Sequence, residues 1–174
     1  QSRGLGDVYK RQNERRDLMK KLFNIKVNLS SLDLMRSDCS SHFIRMMDDM
    51  DIQHDWIQFE ITETVATEYN AGLGMVVDGF MAAGVRLCLD DFGSGYANLN
   101  TVMRLPFSAI KIDRRLLFDI CNDKKRAMFY QSIIETFHRM GYSIVSEGVE
   151  TEEEMSLLSR WGVDMIQGLS LIHI

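Results

Sequence analysis

The stretch VRLCLDDFGSG, residues 85–95, joins an apolar run directly to two adjacent aspartates and a glycine-rich turn. The apolar run predicts a buried strand, and Asp90 and Asp91 stand where that strand ends. Two neighbouring carboxylates at the end of a buried strand repel each other and resist desolvation. A divalent cation beside them would cancel that repulsion.

The same order of apolar strand, polar residue and helical segment recurs along the chain. The predicted strands are IKVNLS, IQFEITE, VRLCLDD, AIKID, SIVSEGVE and VDMIQG, and the polar residues near their ends are Asn28, Glu60, Asp90, Lys111, Glu147 and Gln167. Alternating strands and helices indicate a parallel sheet covered by helices. Functional side chains of such folds collect at the carboxyl ends of the strands, so we expect these six to converge on one face.

The segments between the strands have the apolar periodicity of helices. The predicted helical segments are HFIRMMDDM, GLGMVVDGFMAAG, KKRAMFYQSIIETFHRMG and TEEEMSLLSRWG. Gly84 and Gly141 suit the ends of the second and third, and Thr151 with Glu154 has the pattern of a capping box. The methionine, phenylalanine and leucine stripes are interpreted as core packing.

Composition favours one globular domain with a core of its own. The chain has 174 residues, of which 45% are hydrophobic, and its formal net charge of -5 argues against a nucleic acid polymer as partner. Cys39, Cys88 and Cys121 lack metal-ligand spacing, so we expect free thiols in a reducing compartment. No apolar run approaches the roughly 20 residues of a membrane span. We therefore expect a cytoplasmic domain.

The strand-end residues favour a site for hard divalent cations. Asn28, Glu60, Asp90 and Asp91 offer only oxygen ligands, which suit Mg²⁺, Mn²⁺ or Ca²⁺. With Glu147 there are enough acids for two ions that share a carboxylate. Two metal ions held in this way activate water and stabilise the leaving oxygen in phosphoester hydrolysis.

Lys111 has two interpretations at this stage. It would place a positive charge where negative charge accumulates on a phosphate. Alternatively, Lys111 and Asp113 of the KID segment form a structural ion pair at the rim, and taken alone this second interpretation is slightly favoured.

Six motifs in order carry a resemblance to a known family. They are VNLS at 27–30, FEITET at 59–64, LDDFGSGYANL at 89–99, IKID at 110–113, EGVET at 147–151 and QG at 167–168. Together they closely resemble the EAL domain, a bacterial phosphodiesterase that linearises cyclic di-GMP to pGpG on a TIM-like barrel. The resemblance implies an α/β fold, an incomplete TIM-like (β/α) barrel with about six of its eight βα units present.

The resemblance also implies a role for each matching residue. Asn28, Glu60 and Asp90 look like metal ligands, with Asp90 bridging to a second ion that Asp91 helps to hold; the implied cofactor is two Mg²⁺ or Mn²⁺ ions. Lys111 resembles the lysine that orients the attacking water or a phosphate. Glu147 resembles the proposed general base or second-metal partner. Glu63 resembles the glutamate that anchors the mobile loop, which here is DFGSGYANL and contains Gly93 and Gly95. Asp113 and Gln167 are assigned to the substrate side of the site.

The chain departs from the family pattern in one respect that concerns activity. The first two strands of the family, with the EAL-motif glutamate, have no counterpart here. We therefore expect the parent protein to hydrolyse cyclic di-GMP and this fragment to bind metal weakly without useful turnover. The alternatives are a non-catalytic cyclic di-GMP sensor or interaction module, and, more remotely, a metal-dependent barrel of the enolase kind.

The expected domain organisation follows from the same resemblance. Residues 13–168 form a partial EAL domain, while GDVYKRQ near the start and LSLIHI at the end resemble translated sequencing adapters, so residues 1–12 and 169–174 are expected to be non-native. The expected partners are cyclic di-GMP, a second copy in a homodimer, and sensor or diguanylate cyclase domains of a bacterial parent chain that could be anchored in a membrane.

Overall fold

Six parallel strands form a single sheet in which the spatial order follows the chain. The computed structural model describes residues 25–68, 71–95 and 99–168, so the predicted non-native ends lie outside the described residues. The strands are β1 Ile25–Asn28, β2 Ile57–Thr62, β3 Arg86–Phe92, β4 Ala109–Ile112, β5 Ser143–Glu147 and β6 Met165–Gln167. Every neighbouring pair is parallel, which confirms the strands predicted from the sequence.

Helices connect the strands and begin close to the strand ends. They are α1 Ser31–Leu34, α2 Cys39–Asp49, α3 Glu63–Thr67, α4 Ala71–Ala82, α5 Leu99–Arg104, α6 Arg114–Leu117, α7 Lys124–Arg139 and α8 Glu152–Arg160, with a 3₁₀ turn at His54–Trp56. The four predicted helical segments correspond to α2, α4, α7 and α8. Gly84 and Gly141 follow α4 and α7 with φ of 78° and 87°, and the capping box of Thr151 and Glu154 is present at α8.

The two faces of the sheet differ in chemistry because side chains alternate along a strand. In β2, Phe59 and Ile61 lie on the face covered by helices, where Phe59 packs 5.0 Å from Phe43 and 4.6 Å from Phe80 between ring centroids. Glu60 alternates with them and lies on the opposite face, although it too is buried. The apolar face therefore forms the core, and the polar face is left for the site.

The sheet curls so that its first and last strands approach each other across the polar face. Lys26 Nζ of β1 lies 3.8 Å from Met165 Sδ of β6, although each strand pairs with one neighbour in the described sheet. The described strands thus form a half-barrel whose polar side faces inward. Within the described ranges, no helix has both the length and the apolar character needed to cross a membrane.

The three cysteines carry free thiols, as expected from their spacing. Cys39 and Cys88 are buried and Cys121 is half-buried. Burial raises the pKa of the Cys88 thiol to about 12, with the charge of Glu60 adding to the effect. A thiol with such a pKa stays protonated and unreactive at neutral pH.

Candidate active site

Lys111 lies at the centre of a buried group of carboxylates. Its Nζ is 3.0 Å from Glu60 Oε2, 2.8 Å from Asp90 Oδ1 and 2.7 Å from Glu147 Oε1. The four residues come from four successive strands, β2 to β5, and each stands at or near the carboxyl end of its strand. Parallel pairing brings these ends to one edge of the sheet, and the side chains meet there.

The charges of this cluster are strongly coupled. Burial alone would lower the pKa of Lys111, but its hydrogen bonds to Asp90, Glu147 and Glu60 outweigh burial and raise that pKa above its usual value. Burial raises the pKa of Glu147, and the hydrogen bond from Lys111 opposes this rise only in part. Lys111 therefore stays an ammonium ion, while Glu147 is a more basic carboxylate than an exposed glutamate.

The KID segment does not form the internal ion pair considered from the sequence. Lys111 pairs with the three carboxylates described above, whereas Asp113 Oδ1 accepts hydrogen bonds from Arg115 Nε and from the Arg115 backbone N–H, both at 2.8 Å. Burial raises the pKa of Asp113, but the bonds from Arg115 outweigh it and lower that pKa overall. Asp113 therefore also serves as the N-cap of α6.

Asp90 and Asp91 present their carboxylates on the same side of β3, although neighbouring strand residues normally point to opposite faces. Asp91 has φ of 58°, in the left-handed region, and the register of β3 against β4 shifts between Leu89 and Phe92. As a result, one carboxylate oxygen each of Asp90, Asp91 and Glu147 lies within 4.8 Å of the others. The spacing is suited to a shared cation.

These residues fit the divalent cations expected from the sequence. Burial and the negative charges of Asp90 and Asp113 raise the pKa of Asp91, which means that its ionised form lacks sufficient positive charge nearby. Glu60 is buried, and its Oε1 has no hydrogen-bond partner among the described residues. A hard cation would compensate the carboxylate charge and supply a ligand partner for that oxygen.

Lys26 is a site residue that the sequence reasoning missed. Its Nζ lies 3.8 Å from Oε1 of Glu60, on the side of that carboxylate opposite to the bond with Lys111. Lys26 precedes Asn28 by two residues in β1, so strand alternation puts both on the inner face. That spacing is the sequence signal for Lys26, which does not stand at a strand end, where functional side chains are expected.

Glu63 connects the site to the loop that follows β3. Its Oε2 accepts a hydrogen bond of 3.0 Å from the backbone N–H of Gly93. Gly93 has φ of 88°, and a Cβ there would overlap Leu116, so only glycine fits. Gly95 has open space around its Cα, and the part of this loop at positions 96–98 lies outside the described residues.

Asn28 and Gln167 occupy the two outer strands of the half-barrel and are exposed. Asn28 pairs in register with Glu60, and Gln167 pairs with Glu147. A cavity of about 300 Å³ adjoins the cluster, and its lining includes Asp113, Arg114, Glu147 and Gln167. A larger cavity of about 710 Å³ lies between α6 and α8 and includes none of the clustered carboxylates, so volume alone does not locate the site.

Comparison with known proteins identifies the family. A family model described as EAL domain matches residues 5–173. The chain belongs to the EAL domain family. The curated cyclic di-GMP phosphodiesterase PA2567 of Pseudomonas aeruginosa is 31% identical over 144 residues, which cover 83% of this chain and 24% of that protein. This chain therefore spans about a quarter of the length of that relative.

Solved EAL domains share the fold described above. A complex of the PaMucR phosphodiesterase with c-di-GMP gives a TM-score of 0.77 at 31% identity and covers 86% of this chain and 61% of that chain. Klebsiella pneumoniae BlrP1, solved with manganese and cyclic di-GMP, gives a TM-score of 0.79 at 27% identity and covers 87% of this chain and 40% of that chain. The predicted fold, an incomplete TIM-like barrel of six βα units, is thereby confirmed.

Proposed function

We propose that this EAL domain is part of a phosphodiesterase that hydrolyses cyclic di-GMP to pGpG with two divalent ions, Mg²⁺ or Mn²⁺. The observation that carries the proposal is the convergence of Glu60, Asp90, Lys111 and Glu147 at one edge of the sheet. The cyclic di-GMP complexes of PaMucR and BlrP1, and the manganese in the latter, support the substrate and the metal dependence.

The carboxylates divide between two ion positions. Asn28, Glu60 and Asp90 would hold one ion, and Asp90 with Asp91 would hold the other, while Glu147 lies beside them as the proton acceptor. When bound, such ions polarise a phosphate and lower the pKa of a water molecule. The chain's own contribution is to fix these oxygens on the rigid ends of neighbouring strands.

Lys111 and Glu147 have complementary roles in this proposal. Because the pKa of Lys111 is raised, the residue keeps its positive charge beside a phosphate and does not accept a proton. Because burial raises the pKa of Glu147, its carboxylate is the better proton acceptor and suits a general base for the attacking water.

The substrate would lie over the cluster and extend into the adjoining cavity of about 300 Å³. Arg114 lines that cavity and could pair with the second phosphate of the cyclic dinucleotide. We assign Gln167 and Asp113, which also line that cavity, to the substrate. We assign Glu63, Gly93 and Gly95 to the loop that follows β3. The bond from Gly93 to Glu63 connects the start of that loop to α3.

The proposal assigns activity to a protein that supplies the two further strands of the barrel. We expect the 174-residue chain alone to give no pGpG with Mg²⁺ or Mn²⁺. A fusion in which the corresponding strands of the PaMucR domain precede Ile25 should convert cyclic di-GMP to pGpG, which chromatography resolves. Absence of pGpG from a folded fusion would contradict the proposal.

A matched pair of variants tests the site within that fusion. Asp90→Asn removes the shared carboxylate and should abolish hydrolysis. Asp119→Asn is the control, because Asp119 is exposed and lies outside the cluster, and asparagine tolerates its φ of 62°. Hydrolysis retained in Asp90→Asn would argue against two-metal chemistry.

A non-catalytic cyclic di-GMP sensor is the second candidate. The EAL-motif glutamate discriminates the two candidates, because a full-length protein without it would be expected to bind cyclic di-GMP and not to hydrolyse it. A fusion that binds cyclic di-GMP in equilibrium dialysis without forming pGpG would support the sensor. We also propose a homodimer, attached sensor or cyclase domains and a cytoplasmic location. Size measurement, sequencing of the genomic region and fractionation of producing cells would test these three in turn.

A further inference from the structure

The Glu60 carboxylate lies between two ammonium groups. Lys111 Nζ is 3.0 Å from its Oε2, and Lys26 Nζ is 3.8 Å from its Oε1. The second distance is too long for a hydrogen bond, so Oε1 is buried with an ionic neighbour only. Glu60 itself is 4% exposed, and water therefore screens neither contact well.

Lys26 is held in place on the inner side of the half-barrel. Lys26 belongs to β1, and its Nζ lies 3.8 Å from Sδ of Met165 in β6. The side chain of Lys26 is 22% exposed. It lines a cavity of about 180 Å³ together with Gln58 and Arg86, near the amino ends of the strands. The lysine thus approaches Glu60 from below, while the carboxylates that would hold an ion lie above.

We propose that Lys26 is a positioning residue that lowers the affinity of the carboxylate cluster for divalent cations. Its ammonium attracts Oε1 of Glu60 and repels an ion that approaches the same carboxylate. The inference rests on the proposed metal site and adds a residue that sets the affinity of that site. Lys111 differs because it contacts three carboxylates, so its removal would disturb the whole cluster.

The expected effect follows from elementary electrostatics. A unit positive charge about 6 Å from a divalent ion weakens its binding by about tenfold at the dielectric constant of water and low ionic strength, and screening by salt lowers that factor. A neutral residue at position 26 should therefore tighten binding by about that factor, and high salt should reduce the gain.

Calorimetric titration of the 174-residue chain with MnCl₂, without nucleotide, tests the proposal. Lys26→Met and Lys26→Gln should both bind Mn²⁺ about tenfold more tightly than the unaltered chain. Lys26→Arg keeps the charge and should bind as the unaltered chain does. Lys124→Met, which removes an exposed lysine at the start of α7, is the control and should also leave the affinity unchanged.

Each other outcome overturns the proposal. These outcomes are an unchanged or weaker affinity in the neutral variants, a gain that Lys26→Arg or Lys124→Met shares, and no binding by any chain at millimolar Mn²⁺. Circular dichroism checks that each variant folds. Lys26→Gln is included because its side chain retains a hydrogen-bond donor for Glu60 Oε1. If neither neutral variant folds, Lys26 is a structural residue and the proposal is wrong. The titration contains no nucleotide, so it tests metal binding alone. If the Mn²⁺ affinities change as expected but the fusion does not hydrolyse cyclic di-GMP, only the proposed phosphodiesterase is contradicted.

Discussion

Removal of Lys111 gives the most direct test of the charge balance within the cluster. Its side chain is 6% exposed, and the paired side chains of Glu60, Asp90 and Glu147 are 4%, 11% and 19% exposed. Removing one partner of a buried ion pair costs about 3–5 kcal/mol because the remaining charge is left uncompensated. We expect Lys111→Met to lower the free energy of unfolding by about that amount at pH 7 without metal.

The dependence on pH and metal separates this reasoning from a simple packing defect. The raised folded-state pKa of Lys111 means that its contribution is fully present below the unfolded value of 10.5 and is lost only as pH rises through the folded value. The difference between the two proteins should therefore persist through neutral and mildly alkaline pH. It should shrink in acid, where the carboxylates become protonated, and on addition of Mn²⁺, which replaces the missing positive charge.

Urea unfolding followed by circular dichroism, at neutral and acidic pH and with or without Mn²⁺, measures these differences. Lys124→Met provides the control for loss of an exposed lysine. A loss in Lys111→Met below about 1 kcal/mol, the range of exposed ion pairs, would refute the argument. A large loss that neither acid nor Mn²⁺ relieves would show that packing, and not charge, is responsible.

Three further outcomes are expected. The buried hydroxyls of Tyr130 and Ser146 lie 2.7 Å apart, so Tyr130→Phe and Ser146→Ala should each cost about 1–2 kcal/mol in urea unfolding, and the double variant less than their sum. Gly148 has φ of 69°, and a Cβ there would overlap Arg114, so Gly148→Ala should cost more than about 1–2 kcal/mol; an unchanged unfolding midpoint would contradict this. In thiol titration of the native chain only half-buried Cys121 should react readily, whereas rapid reaction of all three cysteines would contradict the burial of the other two.

The strands and their convergence could be predicted because both depend on local and general rules. Each strand is an apolar segment with a polar residue near its end, and parallel pairing brings those ends together regardless of the details of packing. The long helices α2, α4, α7 and α8 were predictable for the same reason, since each shows several turns of apolar periodicity. The short helices α1, α3, α5 and α6 have four to six residues, too few to show a period.

The remaining site geometry depends on features that sequence alternation does not encode. Alternation places Asp90 and Asp91 on opposite faces, and only the left-handed backbone at Asp91 with the register shift turns both inward. The role of Lys26 depends on the curvature that brings β1 close to β6. Arg115 replaces Lys111 as the partner of Asp113 because α6 begins immediately after β4 and turns that side chain back.

The charge of the inner face explains why two lysines occur among the acids. Glu60, Asp90, Asp91 and Glu147 contribute four negative charges, and Lys26 with Lys111 offsets two of them. The lysines let the strands carry these carboxylates on a buried surface without a bound ion, at the expense of affinity for one. A single divalent ion would balance the remainder, and a second would leave a positive excess suited to the two phosphates of a cyclic dinucleotide. Of the adjacent aspartates of β3, Lys111 thus compensates Asp90 in the protein alone, and in the proposed function metal would compensate both Asp90 and Asp91.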